Sequence, residues 1–450
     1  MKITIRNEIE IPFVDESFDD FIYDSLTLLN PLYVENERMG RFNGRTPKYL
    51  YFFRPEDDKL YVPRGFLPAI ISYCKRNSIN LTVNDLTALL PETSYKFTGT
   101  LRTYQKEATK NMLGYSEGTL CSPTGSGKTT MGLYIVSKRK QPTIITIHTK
   151  ELLNQWVDRI ENFLSISKSR IGIIGDGKVA PKTITVALVQ TLKKHSNLLK
   201  KFGHLVIDEC HHIPAKNLYE LVGKYNGRYI TGLSATPYRR DGLGKLIEWY
   251  AGPIRHRIES GRMVSEGHIC KIKPVIRNTD FISALYDPAN DYSKLMSEIS
   301  QDKDRNNLII QDIIKEVDNG EICLVVSDRK NHCNSLQNLL SYNGFGSSVL
   351  TGETGSQERS EIVRKINTGK IKILIATGQL IGEGFDCKNL SCLFLTMPVK
   401  FSGKIIQYVG RVLRPKEGKE KATIYDYFDQ NVGCLYGSFK NRQQVYESLK

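Results

Sequence analysis

The stretch Cys121-Ser122-Pro123-Thr124-Gly125-Ser126-Gly127-Lys128-Thr129-Thr130 decides how the chain is read. Small and apolar residues precede it and a helical pattern follows, which predicts a strand, a glycine-rich turn and a helix start. Gly125 and Gly127 let the backbone wrap closely round an anion with its N–H groups pointing inward. The helix N-terminus beneath adds its positive dipole end. Lys128 is placed to reach the outer phosphates of a nucleoside triphosphate, and Thr129 to offer its hydroxyl to Mg²⁺. One position departs from the full phosphate-loop pattern, which asks for Gly where Ser122 stands.

Working outward, 450 residues suit two or three domains. Hydrophobic residues at 40% and charged residues at 25% describe an ordinary globular protein. Apolar runs are strand-sized, so no transmembrane helix is expected, and the N-terminus lacks the apolar core of a signal peptide. The nine cysteines show no CxxC pairs or zinc spacing, which predicts reduced thiols in the cytoplasm and no structural metal. A net charge of +15, from 63 basic and 48 acidic residues, is compatible with a polyanionic partner.

From about residue 97 the pattern alternates strands with helices, the mark of a parallel sheet covered on both faces. Strands are predicted at Thr143–His148, Thr183–Val189, His204–Glu209 and Tyr229–Ala235. The third ends in Asp208-Glu209-Cys210-His211, 80 residues after Lys128. Carboxylates there suit a division of labour, with Asp208 holding Mg²⁺ through water and Glu209 orienting and deprotonating the attacking water. His211 is read as a polar coupler to the next motif. Ahead of the loop, the amide of Gln105 can donate and accept together, as reading an adenine edge requires.

Leu101-Arg102-x-x-Gln105, Ser122 to Thr129, Asp208-Glu-Cys-His211 and Ser234-Ala-Thr236 resemble motifs 0, I, II and III of the superfamily 2 helicases. Ser122 is normal within that family. The Cys variant of motif II is similar to the DExH-type DNA helicases and translocases of repair, restriction and branch migration rather than to the DEAD-box RNA helicases. The resemblance implies an ATP site formed by Arg102, Gln105, Pro123, Thr124, Gly125, Ser126, Gly127, Lys128, Thr129 and Thr130, with Mg²⁺ on Thr129 and Asp208. It implies that Thr149-Lys150 and Gln190-Thr191 touch a nucleic-acid backbone, as helix starts after strands can do. Ser234 and Thr236 would link hydrolysis to strand movement, and Tyr238-Arg239-Arg240 would reach the nucleic acid.

A second alternating series runs from about residue 300, with strands predicted at Ile322–Ser327, Ser347–Leu350, Lys372–Thr377, Cys392–Met397 and Thr423–Phe428. Ser356 is expected to cap a helix and Gly369 to end it. Val325-Val-Ser-Asp-Arg329 resembles motif IV, Ile375-Ala-Thr377 through Gly382-Glu-Gly384-Phe-Asp386 motif V, and Gln407 through Arg411 and Arg414 motif VI. The resemblance implies that Arg329, Thr351, Gly352 and Thr377 contact nucleic acid and that Gly384 and Asp386 serve the ATP site. Gln407, Arg411 and Arg414 would act in catalysis, since a guanidinium is always charged and forks onto phosphate oxygens.

The fold class expected is α/β: two RecA-like parallel-sheet domains in tandem after a small N-terminal α/β domain. Its boundaries are 1–95, 96–260, a linker 261–300, 301–430 and a short tail 431–450. The N-terminal module interleaves Arg38, Arg41, Arg45, Lys48, Arg54, Lys59 and Arg64 with aromatic residues. That mixture suits backbone neutralisation and base stacking, and the same rings would equally serve as the module's own core. The function implied is ATP-driven translocation on DNA with unwinding or remodelling of branched or forked duplexes. A double-strand translocase without unwinding, an RNA helicase and a non-motor ATP-gated scaffold remain as alternatives. ATP and Mg²⁺ are the cofactors expected, and DNA the partner, with replication or recombination proteins beside it.

Overall fold

The computed structural model describes residues 1–236, 241–382, 387, 389–400, 402–413, 419 and 421–449. Two compact units result, Met1–Ser122 with Gly127–Ile258, and Glu259–Lys450 with the short stretch Pro123–Ser126.

The first unit opens with β1 (Lys2–Ile5) and β2 (Glu8–Pro12), which pair antiparallel. Ile3, Ile5, Ile9 and Ile11 are all buried. The two-residue turn at Arg6-Asn7 preserves the alternation on both sides, so a hairpin and a single strand read alike. Then come α1 (Glu16–Leu26), β3 (Thr27–Leu29), α2 (Pro31–Arg38), β4 (Tyr49–Tyr51), β5 (Arg54–Glu56), β6 (Lys59–Pro63), α3 (Leu67–Arg76) and β7 (Thr82–Asp85). The sheet order is β5-β6-β2-β1-β7, with β3-β4 a separate ribbon. The polar residues of β7 suit an edge strand with little to bury, pairing parallel to β1.

This module shares its core with the sheet that follows. Phe52 and Phe66 stand 5.4 and 6.5 Å from the Trp249 ring. Arg64 donates to the carbonyls of Gly227 at 2.8 Å and Arg228 at 3.2 Å, and lies 3.6 Å from Glu117. The following elements are α4 (Thr103–Leu113), β8 (Glu117–Cys121), α5 (Lys128–Arg139), β9 (Thr143–Ile147), α6 (Lys150–Leu164), β10 (Gly172–Gly175) and β11 (Lys178–Ala180). β12 (Ile184–Leu188), α7 (Val189–Lys194), β13 (His204–Asp208), α8 (Lys216–Val222), β14 (Tyr229–Ser234), α9 (Lys245–Ala251) and β15 (Ile254–Arg257) complete the unit. The order is β11-β10-β12-β9-β13-β14-β8-β15, parallel except for β11. β9 and β13 are buried along their whole length, hence their continuous apolar runs.

The second unit holds α10 (Ser260–Ser265), β16 (Lys271–Thr279), α11 (Tyr292–Gln301), α12 (Lys303–Asp318), β17 (Cys323–Ser327), α13 (Lys330–Tyr342) and β18 (Ser348–Leu350). It continues through α14 (Ser356–Asn367), β19 (Ile373–Thr377), α15 (Gly378–Gly382), β20 (Cys392–Leu395), α16 (Ser402–Val412), β21 (Lys421–Asp429) and α17 (Gly433–Ser448). Its sheet, β16-β21-β20-β17-β19-β18, is parallel throughout.

Three expectations change here. The stretch 261–300, read as a linker, contains the nine-residue β16, and Pro274 is tolerated because β16 is an edge strand with one neighbour. The stretch 431–450, expected to be a short polar helix or tail, carries the 16-residue α17, which is longer than expected and packed inward. Its buried Arg442 Nε donates to Asp426 at 2.8 Å, and Tyr446 Oη reaches the same carboxylate at 2.8 Å. Gly355, not Ser356, occupies the cap position of α14, while Gly369 does end it, with φ +73°. All nine cysteines are free thiols, and among the described residues no helix is long and apolar enough to cross a membrane.

Candidate nucleotide-binding and hydrolysis site

The phosphate loop joins the C-terminal end of β8 to the start of α5. Gly125 and Gly127 take φ +86° and +84°, a conformation that a side chain would strain. A Cβ on Gly127 would also stand 2.5 Å from Gln105 Nε2, so the loop and α4 meet closely there. Gln105 Oε1 accepts the Arg102 N–H at 2.9 Å, capping α4. Part of the amide expected to read adenine is thus engaged in fixing its own helix against the loop.

Lys128 Nζ donates to the Ser122 carbonyl at 3.3 Å and lies 4.0 Å from Glu209 Oε1. Thr129 and Thr130 follow it in the first turn of α5. Asp208 ends β13 with its carboxylate buried, Oδ2 accepting Trp156 Nε1–H at 2.7 Å and Oδ1 the Glu209 N–H at 3.0 Å. Burial, then the neighbouring Glu209 charge, pushes the Asp208 carboxyl above its ordinary range. Burial also opposes ionisation of Glu209, but the Lys128 ammonium and the His211 hydrogen bond outweigh it and hold that group low. Glu209 itself adopts a left-handed backbone, φ 46°, ψ 54°, which is costly for a residue with a Cβ.

His211 Nδ1 lies 3.3 Å from Glu209 Oε2 and 3.2 Å from Ser234 Oγ. Ser234 Oγ accepts the Thr236 N–H at 3.1 Å, and the Ser234 carbonyl accepts the Ser122 N–H at 2.9 Å. A continuous polar chain therefore runs from the phosphate loop through motif II to the end of β14.

The residues expected on nucleic acid stand at the same carboxyl edge of the sheet, where ligands of parallel sheets bind. Thr149 caps α6, its hydroxyl accepting the Leu152 N–H at 3.3 Å, and Lys150 pairs with Asp176 at 2.5 Å. Gln190, exposed, and Thr191 lie in the first turn of α7.

In the second unit the carboxyl edge carries Arg329 after β17, Thr351 and Gly352 after β18, and Thr377 at the end of β19. Arg329 donates to the Ser293 carbonyl at 2.6 Å. Thr351 Oγ1 accepts the Glu353 N–H at 3.3 Å, which shapes its turn. Gln407 and Arg411 share one face of α16 at i, i+4, and Arg411 Nε donates to the Ile381 carbonyl at 3.1 Å. Gly384, Asp386, Arg414 and Tyr238-Arg239-Arg240 lie outside the described residues.

Two participants escaped the sequence reading. Trp156, on the apolar face of α6, looks like any core residue, yet its indole holds Asp208. A Cβ on Gly378 would meet the side-chain ends of Tyr408 and Asp328, so the motif V strand end packs closely against α16.

Residues 98–239 match the family model of the type III restriction enzyme res subunit, and residues 305–416 that of the helicase conserved C-terminal domain. A protein of Acanthamoeba polyphaga mimivirus, provisionally named an ATP-dependent RNA helicase, is 29% identical over 93% of this chain and 76% of its own. The DNA 3'-5' translocase XPB2 of Sulfurisphaera tokodaii is 28% identical over 70% of this chain and 79% of its own. The solved fragment of an HsdR subunit of a type I restriction enzyme from Vibrio vulnificus shares the fold, with TM-score 0.59 and 18% identity over 76% of this chain and 66% of that one. Two helicase domains in tandem, with the motifs of both in order, make this chain a member of the superfamily 2 helicases, an ATP-hydrolysing helicase that resembles those of DNA repair and recombination.

Proposed function

We propose that this helicase is a motor on DNA that remodels branched or forked duplexes. The polar chain Lys128–Glu209–His211–Ser234 carries the reading, because it joins the phosphate-binding loop to the strand end that would signal hydrolysis to the DNA-holding loops. The relative named as a DNA translocase supports DNA as the track.

The residues fit a nucleoside triphosphate with Mg²⁺: two glycines in left-handed geometry line the loop, and beside the buried Asp208 the half-buried Glu209 faces the Lys128 ammonium at 4.0 Å. Thr129 and Asp208 would hold Mg²⁺, which when bound supplies charge neutralisation at the phosphates. Lys128 would orient the outer phosphates. Glu209, kept ionised by Lys128 and His211, would position a water and take its proton. Arg411 and Arg414 would stabilise charge developing on the transferred phosphoryl group. Thr149, Lys150, Gln190, Thr191, Arg329, Thr351, Gly352 and Thr377 would grip phosphates without reading sequence.

One unwinding and ATPase series across fork, four-way junction, R-loop and blunt duplex tests this. Preferential remodelling of the branched substrates is expected. ATPase that no DNA stimulates, together with full activity in Lys128→Ala, would overturn it. The relative named as an RNA helicase motivates a parallel arm with matched RNA, and stimulation by RNA alone would replace DNA as the track.

A further inference from the structure

The basic and aromatic residues of the N-terminal module separate once folded. Arg54 pairs with Glu8 and Glu56, Lys59 lies 3.6 Å from Glu10, and Arg64 is buried against Glu117 and the Gly227 carbonyl. These three are engaged with acids or carbonyls of the fold itself. The others, Arg38, Arg41, Arg45 and Lys48, are exposed in α2 and the loop from it to β4. Between Arg38 and Arg54 there is no acidic residue.

Aromatic rings stand among those cations. Phe42 is 95% exposed. Tyr49 and Tyr51, two apart on β4, point to one face and are exposed, while Leu50 between them packs on the core. Lys48 Nζ sits 5.7 Å from the Tyr49 ring centre. The helix α2 buries none of its residues. The loop is nevertheless built: Asn30 Nδ2 donates to the Pro47 carbonyl at 2.8 Å, Asn36 Nδ2 to Asn43 Oδ1 at 3.1 Å, and the Arg41 N–H to the Asn36 carbonyl at 2.8 Å. Glu35 and Glu37 of α2 are the acids beside this stretch, and the loop itself carries only cations. Exposed rings in an ordered cationic loop match the chemistry of an unpaired strand, whose phosphates seek cations and whose bases seek flat apolar faces.

We infer that this surface holds a single-stranded segment of DNA, its phosphates on Arg41, Arg45 and Lys48 and its bases on Phe42, Tyr49 and Tyr51. The inference rests on the DNA-motor reading and adds to it a grip on the unpaired arm of a branched substrate, on a module apart from the helicase motifs.

Fluorescence anisotropy with the full chain tests it, using a labelled single strand, a blunt duplex and a matched RNA strand. The triple variant Arg41→Ala/Arg45→Ala/Lys48→Ala should weaken single-strand binding and reduce the log–log salt slope by about 2, at ~0.7 per lost phosphate contact. Phe42→Ala/Tyr49→Ala should weaken single-strand binding by about tenfold or more while shifting duplex binding far less. Arg41→Lys/Arg45→Lys should retain the salt slope, and an unchanged melting midpoint reports that each variant is folded. Single-strand binding unchanged in both alanine variants overturns the surface, as does an equal loss for duplex, which marks plain electrostatics. Tighter binding of the RNA strand through the same side chains overturns the assignment to DNA. A wild-type chain that binds no DNA at all would instead remove the motor reading beneath it.

Discussion

Trp156 Nε1 donates a 2.7 Å hydrogen bond to Asp208 Oδ2, both side chains buried. The indole belongs to α6, the helix that Thr149 caps, so one rigid element carries an expected DNA contact at its start and a brace on the expected Mg²⁺ carboxylate two turns later. Trp156→Phe keeps the ring and removes the donor. Hydrogen-bonded partners of metal ligands are worth about 10–100-fold in metal affinity or activity when lost. The Mg²⁺ concentration for half-maximal ATPase should rise in Trp156→Phe, while nucleotide binding without metal stays close to wild type. Trp156 and Trp249 are the two tryptophans, so Trp249→Phe leaves Trp156 emission to report Mg²⁺-nucleotide binding directly.

Glu209→Gln keeps the shape of the site and removes its base. ATP should still bind, and turnover should fall by about 10²–10⁴-fold. Arg411→Ala should also spare binding and reduce turnover by about 10³–10⁵-fold if its guanidinium serves as an arginine finger. Single-turnover hydrolysis beside equilibrium nucleotide binding separates both from a folding defect.

His211→Ala interrupts the contact between Glu209 and Ser234 without touching the phosphate loop. ATPase should persist at a reduced rate while DNA remodelling per ATP falls further. A parallel loss of both would mean that His211 serves only the chemistry.

Arg442 and Asp426 are 2% and 1% exposed and pair at 2.8 Å. Arg442→Ala strands a buried carboxylate, which costs about 3–5 kcal/mol when one partner of such a pair is removed. Denaturant melts should show that loss, and truncation at residue 430 should be at least as damaging.

His332 is buried between Ser327 Oγ at 3.0 Å and Asn306 Oδ1 at 2.9 Å. Burial, with the Arg305 charge as a second cause, lowers its pKa from 6.5 to about 3. The unfolded chain therefore takes up a proton near pH 6.5 that the folded chain refuses until about pH 3. More protons on the unfolded state mean that stability present at neutral pH is lost as pH falls through that window, by up to about 1.4 kcal/mol per unit from this group. Urea melts between pH 7.5 and 5 should be less acid-sensitive in His332→Gln than in wild type.

What was legible beforehand was local. The strands β9, β13 and β17 are buried throughout and β19 in all but its last residue, so each declares itself as an apolar run. Motifs close such runs, which puts Lys128 after β8, Asp208 at the end of β13, Ser234 at the end of β14 and Thr377 at the end of β19.

Only the tertiary structure decided the rest. β16 exists because β21, 150 residues away, offers it a free edge, and its own residues alternate too weakly to announce a strand. α17 turns a polar pattern inward because Asp426 pays for burying Arg442 and Tyr446. Trp156 reads as core until Asp208, 52 residues on, is found against its indole. By itself the sequence determined the two nucleotide-motor sheets and the order of their chemistry, since buried strands and glycine turns write their geometry locally. Edge strands, buried ion pairs and carboxylate braces depend on a partner brought from far along the chain, and folding alone supplies that partner.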